Sequence, residues 1–316
     1  MQNVKPKFSV KYWRYAIIVL SGLSSLVYVY PFRQNAQSSI EYNPAVQLTT
    51  LENRTINESS GIAASHRNPG ILWTHNDSGD DAFVYAFDKS GKNRGVFKIT
   101  DAKAIDWEDL ASWKDPKSGK AYLYLGDIGN NAKKRPFLTI YRVEEPKISE
   151  RDSASSRQNP IPTAKAQAIN LKYPDGNFDA ETLMVHPATG DLYIITKIMG
   201  AAAKVFKLKA PFMQKEATLV QVGEVQVQNP MKGFFTGGDI APDGRRVALC
   251  DYLSGFELSL PDTKGIEFDE IWKQPVKLIN LGARKQGEAI CYSADGKSLL
   301  ATSEGAPCPL IEITRK

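Results

Sequence analysis

One short sequence pattern occurs five times along this 316-residue chain and constrains its fold more than any other feature. Each copy has a core Leu or Ile, then a turn rich in Pro, Asp and Gly, and then a run of β-forming residues. The core positions recur after 48, 73, 57 and 50 residues, and they are Ile62, Leu110, Leu183, Ile240 and Ile290. Five copies in the same order indicate a repeat architecture in which each copy is one supersecondary unit.

The copies align strand by strand. We predict first strands at 59–63, 107–111, 180–184, 237–241 and 287–291. The predicted second strands are 71–74, 121–125, 192–196, 247–250 and 298–302, and the third strands are 83–87, 138–143, 204–208, 255–259 and 310–313. Outer strands are predicted at 96–100, 166–172, 219–227 and 276–281.

Units of this length and strand content are typical of four-stranded propeller blades. We therefore predict an all-β chain that forms a β-propeller of five four-stranded blades. The fifth unit lacks an outer strand, and the unused segment 45–50 is expected to supply it as an N-terminal strand that closes the ring and removes an exposed edge. The polar stretch 148–163 is predicted to be an exposed loop, and a β-sandwich is the competing fold.

The amino-terminal segment has the pattern of an export signal. Residues 1–33 contain five basic residues and no acid, and the uncharged apolar run 16–30 follows the first four of them. We expect residues 1–33 to form a signal peptide or an uncleaved signal anchor, residues 34–44 a linker, and residues 45–316 the propeller. The anchor is favoured, with the membrane contacted through 16–30 and the domain outside the cytoplasm, periplasmic or extracellular. A cleaved signal would make the protein secreted.

The basic excess of the chain belongs to that segment. Without its five basic residues the chain has 35 basic and 35 acidic residues, so the domain is neutral. A neutral domain without an Arg/Lys-rich stripe has no electrostatic footprint for nucleic acid, and we predict none as a partner.

Acidic residues concentrate where a propeller would bring them together. The first residues of each first strand and the last residues of each second strand converge around the axis. Carboxylates crowded there repel each other unless a cation or a proton intervenes. We predict a cation site for Ca²⁺, with Mg²⁺ as second choice, whose candidate ligands are Glu108, Glu181 and Glu288. The candidate ligand-binding residues are Asn76, Asp77, Lys197, Asp251 and Glu304. The alternative for any one of them is a structural role capping a turn.

Two residues are candidates for acid–base catalysis, His75 and Asp127. For His75 the alternative is a turn histidine without a catalytic role. The chain contains no Gly-x-Ser-x-Gly, phosphate loop or His-Glu-x-x-His motif, which argues against the commonest hydrolases and nucleotide-binding proteins.

Several strings resemble a group of uncharacterised exported bacterial propeller proteins over residues 57–316. They are Glu-Ser-Ser-Gly-Ile (58–62), Trp-Thr-His-Asn-Asp-Ser-Gly (73–79), Asp-Trp-Glu-Asp-Leu-Ala (106–111), Tyr-Leu-Gly-Asp-Ile-Gly-Asn (124–130), Tyr-Pro-Asp-Gly (173–176), Thr-Gly-Gly-Asp-Ile-Ala-Pro-Asp-Gly (236–244), Gln-Gly-Glu-Ala (286–289) and Thr-Ser-Glu-Gly (302–305). The chain is more remotely similar to propellers labelled as having the esterase-like activity of phytase, and to calcium-dependent propeller lactonases. The resemblance implies the fold and export. The sequence departs from the group's pattern at Asn130, where an Asp is expected, so that one carboxylate is missing there.

Two functions of different class are consistent with these residues. The first is a membrane-anchored binding module whose cation-organised funnel takes a small molecule, a glycan or a protein. The second is a metal-dependent hydrolase of phosphate or carboxylic esters, phytase-, esterase- or lactonase-like. The sequence favours the first, because it shows no nucleophile–base pair.

Overall fold

The computed structural model describes residues 42–77, 79–212 and 215–316. The predicted signal or anchor, and all of the predicted linker before residue 42, lie outside the described residues. None of the helices in the described part of the chain is long and apolar enough to cross a membrane.

The described residues form 22 strands and two short 3-10 helices, Glu150–Ala154 and Phe268–Lys273. Numbered in chain order, the strands are β1 (Val46–Thr50), β2 (Ser59–Ala64), β3 (Ile71–Asn76), β4 (Phe83–Asp88), β5 (Asn93–Thr100), β6 (Trp107–Lys114), β7 (Ala121–Asp127), β8 (Leu138–Glu144), β9 (Ile161–Lys165), β10 (Gln167–Lys172), β11 (Ala180–Val185), β12 (Leu192–Thr196), β13 (Ala203–Leu208), β14 (Glu216–Thr218), β15 (Val220–Val225), β16 (Gly237–Ile240), β17 (Arg246–Cys250), β18 (Gly255–Ser259), β19 (Lys277–Ile279), β20 (Ala289–Tyr292), β21 (Ser298–Thr302) and β22 (Pro309–Thr314).

These strands form five sheets, and each sheet is one blade of a β-propeller. The sheet orders are β2-β3-β4-β5-β9, β6-β7-β8-β10-β14, β11-β12-β13-β15, β16-β17-β18-β19 and β20-β21-β22-β1, which we call blades 1 to 5. The innermost strands β2, β6, β11, β16 and β20 each contact the next, and β20 contacts β2 again. The prediction of an all-β, five-bladed propeller is therefore confirmed.

Blades 1 and 2 differ from the prediction of four strands. A fifth strand extends each of them in parallel orientation, because β9 pairs with β5 and β14 pairs with β10. The stretch 148–163, predicted to be a loop, instead contains the first 3-10 helix and the beginning of β9. Polar residues suit these positions, because the added strands cover the outer rim of a blade.

The two ends of the described chain meet in blade 5. β1 pairs antiparallel with β22, with Val46 opposite Glu312 and Thr50 opposite Pro309. Nearby, the buried carboxylate of Glu257 accepts a hydrogen bond from the Tyr42 hydroxyl at 2.5 Å and forms an ion pair with Arg315 at 3.2 Å. Residues from both ends are thus held against blade 4.

The repeat explains why these elements form. The five core residues of the first strands are at most 4% exposed, and they pack the blades against each other around the axis. Each hairpin between the first and second strands contains a glycine in the left-handed region, with φ between +66° and +81°: Gly70, Gly119, Gly190, Gly244 and Gly296. Residues with a Cβ rarely adopt this conformation, so the turns need glycine.

Candidate functional site

One face of the propeller, here called the mouth, is where the first strands begin and the second strands end. Five carboxylates meet there, all from the consecutive blades 5, 1 and 2. Asp77 of blade 1 is common to two groups, and in each group one oxygen per side chain lies within 4.8 Å of the others. The first group is Asp77, Glu288 and Glu304, and the second is Asp77, Asp106 and Glu108.

A β-bulge directs Glu108 towards the mouth. In blade 2 Trp107 pairs with Asp127, but Asp109 pairs with Gly126, so Glu108 is the extra residue on β6. The pairing shifts in the same way around Ser60 in β2 and Glu181 in β11. A bulged residue leaves the regular alternation of the ladder, which lets its side chain point elsewhere than its neighbours'. The bulge therefore places these three residues at the mouth.

Two of the carboxylates are buried with an oxygen that has no protein partner. Glu108 is 2% exposed and Glu288 is 4% exposed. Neither Oε1 of Glu108 nor Oε2 of Glu288 accepts a hydrogen bond from any residue that the structure describes. Burial, and then the negative charges of Asp77 and Asp106, raises the pKa of Glu108 well above its ordinary value. Burial and the charge of Glu304 raise the pKa of Glu288 to about 8. A bound cation or a proton would offset the cost of burying these two oxygens without a donor among the described residues.

Backbone and amide groups complete the walls around these acids. The Gln286 amide donates to Glu288 at 3.0 Å and to Glu304 at 2.8 Å, which holds the two side chains together. On the other side, Gly129 lies so close that a Cβ there would be 2.2 Å from Oε1 of Glu108 and 2.4 Å from Oδ2 of Asp106. The space beside the two carboxylates exists only because residue 129 has no side chain.

The third predicted metal ligand, Glu181, has a different partner. Its carboxylate forms an ion pair with Lys197, whose Nζ also lies 3.9 Å from Asp179 and 5.2 Å from the centre of the Phe234 ring. The structure therefore brings Glu108 and Glu288 together with Asp77, and it places Glu181 beside Lys197 on blade 3. Lys197 is still close enough to lower the pKa of both Glu108 and Glu288.

Two of the predicted ligand-binding residues are held by loop backbone. The Asn76 side chain accepts from the backbone N–H groups of Asn57 and Glu58 at 3.2 Å and donates to the Thr55 carbonyl at 2.8 Å. The Asp251 carboxylate accepts from the backbone N–H groups of Leu253 and Ser254 at 2.8 and 2.6 Å. Both side chains shape loops at the mouth. Asp77 and Glu304, predicted in the same set, lie in the carboxylate groups instead.

The two catalytic candidates are both buried. His75 is fully enclosed, its Nδ1 lies 2.7 Å from the Asn76 carbonyl oxygen, and its ring packs edge-on against Trp107 at 5.8 Å. Burial lowers the pKa of His75, which keeps its imidazole neutral. Asp127 forms an ion pair with Arg135 at 2.8 Å and accepts the backbone N–H of Asp106 at 3.0 Å. Both side chains support the strand ends that carry Asp77 and Asp106.

The sequence did not identify the role of two residues, Asp77 and Asp106. Asp77 was predicted to bind ligand, but the structure places it at the centre of both carboxylate groups. Asp106 directly precedes the first strand β6, which begins at Trp107. This position in the repeat is the sequence signal that could have placed Asp106 in the carboxylate group. The donor set consists of carboxylate oxygens, which Ca²⁺ and Mg²⁺ prefer, and two of its buried oxygens, Oε1 of Glu108 and Oε2 of Glu288, have no donor among the described residues. The residues therefore fit the predicted cation site.

No protein-family model and no curated protein matches this chain. A similar solved structure is a gluconolactonase from Xanthomonas campestris, described as important in glucose secondary metabolic pathways. The sequence identity is 10% and the TM-score is 0.47, over 86% of this chain and 89% of that one. At this level of likeness neither substrate nor site residues are carried over.

Proposed function

We propose that the domain is a cation-dependent hydrolase of carboxylic esters, including lactones, with its site among the carboxylates of the mouth. The observation that supports this most is the overlap of two carboxylate groups at Asp77. One group can hold a divalent cation, Ca²⁺ before Mg²⁺, while the other remains free to act on a proton. When bound, the cation would polarise the ester carbonyl and offset the repulsion among the acids.

The residues divide into two roles in this proposal. Asp77, Glu288 and Glu304 hold the cation, because Gln286 already fixes the last two side chains together. Glu108 is the general base that takes a proton from the attacking water at its unpartnered Oε1. Burial, and then the negative charges of Asp77 and Asp106, raises the pKa of Glu108, so that its carboxylate is a stronger base than an exposed one.

Charge at the mouth favours neutral esters over phosphate esters. Five carboxylates surround the site, and Lys197, whose charge reaches Glu108 and Glu288, is already paired with Glu181. One divalent cation does not neutralise this set, so a phosphate dianion would meet net negative charge. A lactone or carboxylic ester carries no charge and requires only a polarised carbonyl.

A second candidate is a binding module that takes an oxygen ligand through the cation without turnover. The burial of both predicted catalytic side chains favours it, because His75 is fully enclosed and Asp127 is already paired with Arg135. In the binding module the cation ligands are the same as in the hydrolase, but Glu108 does not act as a base.

The location and the closed ring belong to the same proposal. The basic and apolar pattern of residues 1–33 supports an exported domain, anchored through 16–30. Calcium at millimolar concentration outside the cytoplasm would then supply the site. The pairing of β1 with β22 supports closure of the ring by the N-terminal strand.

The test combines cation binding with turnover. Thermal unfolding of the full chain is measured in chelator and in millimolar Ca²⁺ or Mg²⁺, and hydrolysis of p-nitrophenyl acetate is followed in the same buffers. A cation at one hundred times its dissociation constant stabilises by about 2.7 kcal/mol, which raises the melting temperature. Asp77→Asn is expected to lose this gain, and Asp262→Asn, an exposed acid elsewhere, to keep it.

Glu108→Gln separates the two candidates. The hydrolase predicts that this variant keeps the cation-dependent rise in melting temperature and loses turnover. Binding of the cation without ester hydrolysis by the parent protein would favour the binding module. A melting temperature unaffected by either cation would remove both candidates.

A further inference from the structure

Exposed apolar side chains of the described residues fall into two sets. Four lie on β1, β15 and β19, at the outer edges of blades: Val46, Leu48, Val220 and Leu278. The other four lie in loops at the mouth: Ile105, Ile198, Met199 and Leu253. The second set is notable because loops beside an acidic site are expected to be polar.

Most of the second set belongs to one continuous surface on blades 3 and 4. The backbone N–H groups of Ile198 and Gly200 donate to the carbonyls of Gly233 and Met231, which joins the loop after β12 to the loop before β16. The Phe234 ring that follows packs edge-on against Tyr252 at 5.0 Å, and Leu253 comes next. We call Ile198, Met199, Phe234, Tyr252 and Leu253 the apolar rim.

The apolar rim adjoins the carboxylates directly. Lys197 lies under the Phe234 ring at 5.2 Å, and its charge reaches Glu108 and Glu288. The Tyr252 carbonyl accepts the backbone N–H of Gly287, the residue before Glu288, at 3.0 Å. The mouth is therefore two-sided, with the five grouped carboxylates on blades 5, 1 and 2 and the apolar rim on blades 3 and 4.

We propose that the apolar rim binds the hydrocarbon part of the substrate, so that the preferred substrates are neutral esters or lactones with an alkyl or aryl substituent. This inference rests on the proposed function for the position of the ester group. With the carbonyl oxygen among the carboxylates, the substituent extends over Phe234 towards Met199 and Leu253. Met199 is 66% exposed and Leu253 is 64% exposed, so both side chains have free surface that can contact the substituent.

Binding of unreactive amides tests the rim without turnover. Straight-chain primary amides are neutral, present a carbonyl oxygen and resist hydrolysis. Their affinities for the full chain in millimolar Ca²⁺ are measured by calorimetry, from acetamide to hexanamide. Full burial of a methylene favours binding about fourfold, and half of that free energy on an open rim gives about twofold. Hexanamide should therefore bind about 16-fold more tightly than acetamide.

The variants remove only exposed apolar surface. Met199→Ser combined with Leu253→Ser should reduce the ratio of the two affinities below about fourfold. Leu278→Ser is the matched control, because Leu278 is 61% exposed on the outer strand of blade 4. The same variants are tested with p-nitrophenyl acetate and hexanoate, whose rates should show the same change in chain-length preference.

The outcomes separate this inference from the proposed function. Amide affinities that rise with chain length, without hydrolysis of any ester, support the rim and refute the hydrolase. Ester hydrolysis without chain-length preference refutes the rim alone. Sedimentation with phosphatidylcholine vesicles is measured in parallel. Loss of vesicle binding in the double variant, with amide affinities unchanged, would assign the rim to a membrane surface and overturn the inference.

Discussion

Glu145 connects blades 1 and 2 at the face opposite the mouth, and its replacement by Gln gives a prediction with a defined magnitude. The side chain is fully buried directly after β8. Its Oε1 accepts from the Ser65 hydroxyl, from Trp73 Nε1 at 2.8 Å and from the Asn68 amide at 3.3 Å. Its Oε2 accepts from two backbone N–H groups of blade 1 at 3.2 and 3.1 Å. All five donors belong to the neighbouring blade.

Glu145→Gln keeps the shape and removes one acceptor. If the amide oxygen takes the place of Oε1, the new NH₂ group points at the backbone N–H groups of His66 and Arg67. Two hydrogen bonds to a charged acceptor are then lost, each contributing about 1.5–3 kcal/mol, while the carboxylate no longer needs to be desolvated. We expect a loss of about 4 kcal/mol in the free energy of unfolding. At 2–4 °C per kcal/mol this lowers the melting temperature by about 10 °C.

Chemical denaturation of the parent and the variant, followed by circular dichroism, measures this loss. Glu144→Gln is the matched control, because Glu144 is next in sequence but 40% exposed and forms only surface ion pairs with Arg67 and Lys120. Such pairs contribute about 0–1 kcal/mol. A Glu145→Gln variant within about 1 kcal/mol of the parent, or no less stable than Glu144→Gln, would refute the role of Glu145 as a buried bridge.

Three further predictions concern the site, the pH profile and the ring. Gly129→Ala should reduce ester turnover and keep the cation-dependent rise in melting temperature, because its Cβ would displace Glu108 and Asp106, the group that supplies the base; hydrolysis of p-nitrophenyl acetate checks this, and unchanged turnover would contradict it. Burial raises the pKa of Asp239 to about 7, so the folded state holds a proton that the unfolded state releases above about pH 4. Stability should therefore fall by up to about 4 kcal/mol as pH rises from 4 through 7, and Asp239→Asn should flatten this profile in denaturation series at each pH. A chain that begins at residue 51 loses β1 and exposes the edge of β22, so light scattering should show association and calorimetry a lower melting temperature than for the full chain. A chain that remained monomeric and equally stable would show that β1 is dispensable.

The repeat was sufficient to predict the fold because every copy carries the same local signals. The predicted first strands match β2, β6, β11, β16 and β20 to within three residues at either end. The fifth strands β9 and β14 were not predicted as such, since short polar segments become strands only when a neighbouring edge offers them hydrogen bonds. Local pattern does not contain that information.

The site was predicted at the level of the face and not of the individual contacts. The convergence of first-strand starts and second-strand ends placed acids at the mouth, but the bulge at Glu108 and the length of a Glu side chain decide which carboxylates meet. Glu181 has the same place in the repeat as Glu108, and Lys197 on the adjacent strand removes it from the group by pairing with it. Which carboxylates meet at the mouth therefore depends on contacts between residues that are distant in sequence.

The shared carboxylate group also has a consequence for the order in which the chain is made. Asp77 belongs to the first blade, whereas Glu288 and Glu304 belong to the last. A nascent or prematurely ended chain that lacks the final blade contains only one of these three acids. Metal uptake through this group would thus begin only after blade 5 has been made, and the ion would link the first blade of the ring to the last.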